Sequence, residues 1–180
     1  MKIIENSKKI ENNIKVVLGD ITYPKSESMI IPANLSGLMS KGVPKRVLKA
    51  GWAKVGKEAK KALKEQKIDL GGCFSTDSGR LKRRGVKKIY HAVIKKYLND
   101  FTSIHIVKLS LENSFKKVLA DKNKSVTICG IGIEPGELDK KVVAISISEI
   151  CEKYKSKIKI KIIDDNVEFI KQVEEYFKER

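Results

Sequence analysis

The residues most able to do chemistry sit in glycine-bearing stretches that follow apolar runs. "GIGIEPGEL", residues 130 to 138, comes straight after "SVTIC". Strand, Gly-x-Gly and then helix is a layout that brings backbone N–H groups close to an anion. Glycine serves where a Cβ would block the approach or where φ must be positive. The helix that follows adds partial positive charge at its N-terminus. A plain tight connection has the same pattern. GxGxxG is missing from its proper place and GxxxxGK[ST] is missing altogether. A Rossmann dinucleotide site is therefore a poor reading, and a P-loop is excluded.

A second stretch, "IIPANLSGLMSKGVPKRVLKAG" (30 to 51), starts as a buried strand and ends as a basic helix. Its loop carries Asn34, Gly37, Lys41 and Gly42. Such a loop either cradles a phosphate-bearing ligand or simply joins strand to helix. Asn34 offers donor and acceptor together, which suits a ribose. It suits an Asx turn equally. Asp20 follows another strand and precedes "IT". Its carboxylate fits an exocyclic amine of a base, or a turn or helix cap.

The elements that must hold these loops alternate along the chain. "IKVVLGD" (14 to 20), Met29 to Ile31, "GGCFSTDSG" (71 to 79), "VKKIYHAVI" (86 to 94), "SVTICG" (125 to 130) and "SKIKIKIID" (156 to 164) read as strands. Helical spacing predicts helices over Val43 to Ala50, from Trp52 to about Gln66, and along Ile104, Val107, Leu111, Phe115 and Val118. The third of these is capped near Thr102 or Ser103. Leu138 to Tyr154 is a further helix, although "VVAISISEI" is rich in β-formers. Asp164 or Asp165 caps a last helix carrying Phe169, Ile170, Val173 and Phe177. "RLKRRG" joins two strands as a basic loop. The pattern predicts an α/β fold, a three-layer α/β/α sandwich on a mixed, mostly parallel central sheet. One domain over 1–180 is expected, with 1–13 as an N-terminal extension or edge strand. Ligands of such sheets sit where loops leave the carboxyl ends of strands. Gly19 to Thr22, Asn34 to Gly42 and Gly130 to Leu138 all qualify.

Composition narrows the partners. Thirty-eight basic against 22 acidic residues give a net charge of +16, which favours anionic partners. Solvated lysines on helix faces would look the same. Cys73, Cys129 and Cys151 are widely spaced, odd in number and without CxxC, so neither a disulfide framework nor a zinc site is suggested. His91 and His105 sit among apolar neighbours and read as structural. No resident cofactor or metal is expected. No run approaches 18 apolar residues, and the first 13 are too polar for a signal peptide. A cytoplasmic protein without a membrane partner is expected.

"LGDIT" (18 to 22), "IIPAN" (30 to 34), the spacing of nine from Asn34 to Val43 and "GIG" (130 to 132) together resemble macro domains, which are ADP-ribose-binding modules. The resemblance runs from about residue 14 to the end. It implies that Asp20, with Ile21 beside it, meets adenine, and that Asn34 lies near the distal ribose. It puts Lys41, Gly42 and Val43 in a first phosphate loop. Gly130, Ile131, Gly132 and Ile133 fall in a second. Two glycine-bearing loops make sense as a clamp on a pyrophosphate. The chain departs from the family's mono-ADP-ribosyl hydrolases at Ile31, Pro32, "MSKG" and Pro44. "NLSGLMSKGV" is closer to the terminal ADP-ribose hydrolases and the DNA ADP-ribosyl glycohydrolase antitoxins. That likeness marks Lys95, in "VIKK", as a candidate nucleophile and Glu134 as its acid/base. A lysine amine attacking C1″ of an ADP-ribose would give a Schiff-base-type intermediate. The implied substrates are ADP-ribosylated protein or nucleic acid, ADP-ribose-1″-phosphate or O-acetyl-ADP-ribose.

Two other functions compete. "GRLKRRGVKK" with Tyr90 nearby, on a strongly basic chain, suits a nucleic-acid-binding module, although 6% aromatic content is poor for stacking platforms. The altered first loop and Pro44 suit a macro domain that has lost its ligand.

Overall fold

Alternation of Lys with Ile over "KIKIID" makes a strand whose apolar side is buried, and similar runs on either side of it in space build the sheet. The computed structural model describes residues 6–11, 13–134 and 137–180. In chain order the elements are β1 (Asn6–Glu11), β2 (Ile14–Leu18), β3 (Ser28–Asn34), α1 (Gly42–Gly51), α2 (Ala53–Glu65) and β4 (Cys73–Asp77). A 3-10 segment (Gly79–Arg84) precedes β5 (Lys88–Lys95). Then come α3 (Ile104–Ala120), β6 (Ser125–Ile128), α4 (Lys140–Tyr154), β7 (Lys159–Asp164) and α5 (Val167–Lys178).

The seven strands lie in the order β1-β2-β7-β6-β3-β5-β4. β2, β7, β6, β3 and β5 pair parallel, while β1 and β4 run antiparallel at the two edges. The mixed, mostly parallel sheet is the one the alternating pattern predicts. Five parallel strands send their carboxyl ends to one side, so their outgoing loops collect there. Side chains alternate across the sheet. Tyr90 on β5 reaches Asp121 beyond α3, whereas His91, facing the other way, stacks on Phe74 of β4. α3, α4 and α5 pack in a row, and α1 and α2 pack on each other and on β3 and β4. Among the described residues no helix is long and apolar enough to cross a membrane.

Several local expectations change. "VVAISISEI" is helical because Val143, Ala144, Ile147, Ile150 and Cys151 are all buried between neighbouring elements, and Asp139 accepts from the Val142 N–H as a cap. Packing of an apolar helix face overrides weak β preference. β3 is longer than Met29 to Ile31 and runs to Asn34. The basic "RLKRRG" is not an open loop but a 3-10 segment closed by Gly85 in the left-handed region. Asn166 caps α5, donating no role to Asp164 or Asp165 there; its side chain accepts from the Phe169 N–H at 3.0 Å. Asp164 is freed for other bonds. His105 is exposed on α3 rather than set among apolar neighbours.

His91 is buried, with Nε2 3.0 Å from the Thr76 hydroxyl. Burial lowers its pKa from 6.5 to about 3. The folded state therefore binds this proton less readily than the unfolded chain. Its contribution is complete above 6.5 and is lost as pH falls toward 3. His91→Gln removes that term. In urea titrations the wild type should lose up to about 1.4 kcal/mol more per pH unit than the variant, the full slope being reached midway between the unfolded and folded pKa values. Parallel pH profiles for the two proteins would contradict a neutral buried His91.

Candidate functional site

A cavity of about 360 Å³ opens at the carboxyl ends of β3, β5, β6 and β7. Its size is that of a small-molecule site. Asn34, Lys41, Gly42, Val43, Lys95, Gly130, Gly132, Ile133 and Glu134 line it, so the first loop, the second loop and the candidate catalytic pair meet in one place.

The first loop is organised by Asn34. Its Nδ2 donates to the Leu38 carbonyl at 2.9 Å, and its Oδ1 accepts from Ser36 Oγ and the Leu38 N–H. This is the turn-forming alternative, and it leaves Asn34 lining the cavity while its polar atoms serve the loop. The loop delivers the chain to α1. Lys41 stands at the N-cap and supplies no acceptor. α3, α4 and α5, by contrast, are each capped by a side chain. The first N–H groups of α1 thus face the cavity region without a side-chain partner, a setting that favours an anion. Lys41 Nζ donates to Asn99 Oδ1 at 3.0 Å, joining this loop to the one after β5.

The second loop lies opposite. Gly132 has φ +89, and a Cβ there would press on Leu138 and Val107. Leu138 N–H donates to the Gly132 carbonyl at 3.0 Å, closing the turn. Among the described residues none accepts from the amides of Gly132 and Ile133. Glu134 sits directly over Gly42, where a Cβ would collide with its carboxylate. The two glycine loops therefore touch across the cavity.

Lys95 ends β5 at an irregularity where it lies opposite Asn34, and its carbonyl accepts from the Leu35 N–H at 3.0 Å. Its ammonium pairs with Glu137, not with Glu134. Both side chains are nearly buried, at 12% and 9% exposure. The acid next to the candidate nucleophile is thus three residues further along the same loop than expected.

At another part of the wall Arg46 from α1 pairs with Asp165. Asp164 beside it is buried, and its two carboxylate oxygens accept from the Gly130 N–H at 2.9 Å and the Asn166 N–H at 2.8 Å. Burial pushes the Asp164 carboxyl above its ordinary value in spite of these bonds.

Asp20, Ile21 and Ile131 do not line the cavity. Asp20 caps its own turn, accepting from the Thr22 N–H at 2.9 Å, though its charge acts on Arg46. Ile21 and Ile131 are core residues. Glu137, Arg46, Asp164 and Asp165 also belong to the wall, although the sequence marks only the two aspartates, and those as helix caps. Three signals were present. Asp164 ends β7 and Asp165 follows it, which is where the loop rule looks. Arg46 is four residues from Gly42, one helical turn on. Glu137 lies inside the glycine loop itself. Among the described residues no group of three or more His, Cys, Asp or Glu side chains could hold a metal.

The family model for the Macro domain matches residues 30–147. An uncharacterized protein of Aquifex aeolicus (strain VF5) is 31% identical over 153 residues, covering 84% of this chain and 88% of its own. Thermosipho africanus DarTG, solved in complex with ADP-ribose, superposes with TM-score 0.81 at 16% identity over 96% of this chain. This chain spans 48% of that one's length. The Oceanobacillus iheyensis macrodomain with ADP gives TM-score 0.80 at 18% identity, over 99% of this chain and 97% of its own. Both share the fold described above.

Glu137→Gln leaves the nearly buried Lys95 ammonium without its counter-charge. It should cost roughly 3 kcal/mol in chemical denaturation. Glu134→Gln, which breaks no ion pair among the described residues, should stay within about 0.5 kcal/mol of wild type. Equal losses would contradict the assignment of Glu137 as the partner.

Proposed function

The chain belongs to the macro domain family, and from that premise we propose that its cavity binds ADP-ribose and releases it from a conjugate through Lys95. The observation that carries the reading is the pair of glycine loops facing each other across the cavity, one ending in the N-terminus of α1, which has no side-chain cap. A pyrophosphate that displaces the Glu134 carboxylate from Gly42 would lie between the amides of Gly132 and Ile133, which have no acceptor among the described residues, and the helix N–H groups opposite. The Arg46, Asp164 and Asp165 wall is then the nucleoside end, and Lys95 with Glu137 is the distal-ribose end.

The Lys95–Glu137 contact supports a nucleophile with its own base. Glu137 takes a proton from the ammonium, and the free amine attacks C1″. A C–N bond forms as the bond from C1″ to the leaving group breaks. The leaving group takes the proton back from Glu137. Opening of the ribose gives a protonated imine. Water adds to its carbon, and the amine departs, giving free ADP-ribose and restoring Lys95. Glu134, over Gly42, gives way to the phosphates instead of serving the amine.

ADP-ribose should bind saturably in calorimetry, and its affinity should fall far less between about 50 and 200 mM salt than a polyanion's would. Absence of binding at millimolar ligand would overturn the binding reading. For the reaction, Lys95→Arg should retain binding and abolish release of ADP-ribose. Cyanoborohydride should trap a covalent adduct on wild type alone. Release at the wild-type rate by Lys95→Arg would sink the lysine mechanism.

A further inference from the structure

The basic run that sequence picked out lies away from the cavity. Tyr90, the aromatic residue nearest to it in sequence, is fully buried and bonded to Asp121, so it cannot stack on a ligand. Two other aromatic residues take that place. Arg80 lies over the Trp52 ring at 3.9 Å, and Arg84 lies over the Tyr23 ring at 3.9 Å. Trp52 is 58% exposed and Tyr23 43%. Both guanidinium groups come from the 3-10 segment, whose Gly79 rests against the Gly51 backbone at the end of α1.

Trp52 is out of place as a folding residue. Its φ is +71, a conformation that favours glycine, and more than half of its surface is in water. The fold gains little from an indole there.

α1 links this platform to the cavity. Gly42 begins it at the cavity, and Gly51 ends it beside Trp52, about 15 Å away. Lys41, Lys45 and Lys49 recur every four residues along it, and all three are exposed. Residues so spaced share one face of a helix, about 6 Å apart. Among the described residues Lys45, Lys49, Arg80 and Arg83 form no ion pair with a carboxylate. Their charge is uncompensated, in contrast to Lys54 and Lys82, which pair with Asp77.

We propose that α1 and the 3-10 segment form a binding surface for single-stranded nucleic acid, with phosphates along Lys45, Lys49, Arg80 and Arg83 and unpaired bases against Trp52 and Tyr23. Regularly spaced cations beside exposed, arginine-backed aromatic rings are what a single strand needs: charge for its backbone and π-faces for its bases. A duplex offers the charge but hides the bases. The surface does not depend on ADP-ribose or on the chemistry at Lys95.

Fluorescence anisotropy with an unmodified, labelled oligothymidylate of about 15 nucleotides tests this directly. At about 50 mM salt the strand should bind, and the affinity should fall steeply as salt rises. Arg83→Glu should weaken binding and flatten the salt slope. Trp52→Ala should weaken it about tenfold with the slope kept, because stacking is lost and not a phosphate contact. Trp52→Phe should recover most of that loss. ADP-ribose affinity should be unchanged in all three. Circular dichroism of each variant checks the fold. The proposal is overturned if the strand does not bind, or if Lys171→Glu and Lys178→Glu on α5 weaken it as much as Arg83→Glu. Equal or tighter binding of the matching duplex, or of phosphatidylserine vesicles, would overturn it as well.

Discussion

One buried carboxylate fixes the geometry of the site. Asp164 ends β7 and holds two backbone amides from different segments, Gly130 after β6 and Asn166 at the start of α5. A side chain so deeply buried pays for its desolvation with these bonds, and its raised pKa records the cost that remains. In return the second glycine loop is held at a set height above the sheet. From there Gly132 turns the chain, and Glu134 and Glu137 are aimed at Gly42 and Lys95. An adjacent, exposed carboxylate, Asp165, takes Arg46 and so brings α1 to the same edge. The two neighbouring acids thus link a loop, a helix cap and a facing helix.

The other half of the site comes from what α1 lacks. Ser103, Asp139 and Asn166 finish the N-termini of α3, α4 and α5 with side-chain oxygens. Lys41 does not do this for α1. An acceptor at that position would occupy the amides and repel an anion, so a lysine there makes physical sense if an anion is the cap. Asn34 explains why the loop can present this end: its amide holds residues 36 and 38. Asn34 therefore both lines the cavity and serves as scaffold for its own loop.

Much of this was legible in the sequence, and the failures share a cause. Strands with strong β-branched patterns and helices with apolar spacing came out in the right order because burial imposes those periods directly. The two glycine loops and Lys95 can be read from the sequence because glycine and strand ends leave local marks. Glu137 was not found, since nothing in "GIGIEPGEL" says which of two acids turns toward β5. Asp164 looked like a cap from its position, and only β6, distant in sequence, shows why it is buried. The sequence points to Tyr90 rather than to Trp52 and Tyr23, because stacking on Arg80 and Arg84 depends on tertiary placement. Pairings across long separations are what a single sequence hides.

The central claim is that one ligand spans the two glycine loops. Titration of ¹⁵N-labelled protein with ADP-ribose reads this amide by amide. Saturable shifts should appear together at Gly42, Val43, Gly132 and Ile133, and the amides of Gly79 to Arg84 should stay still. Shifts confined to the basic 3-10 segment, or no saturable shifts at all, would contradict the account.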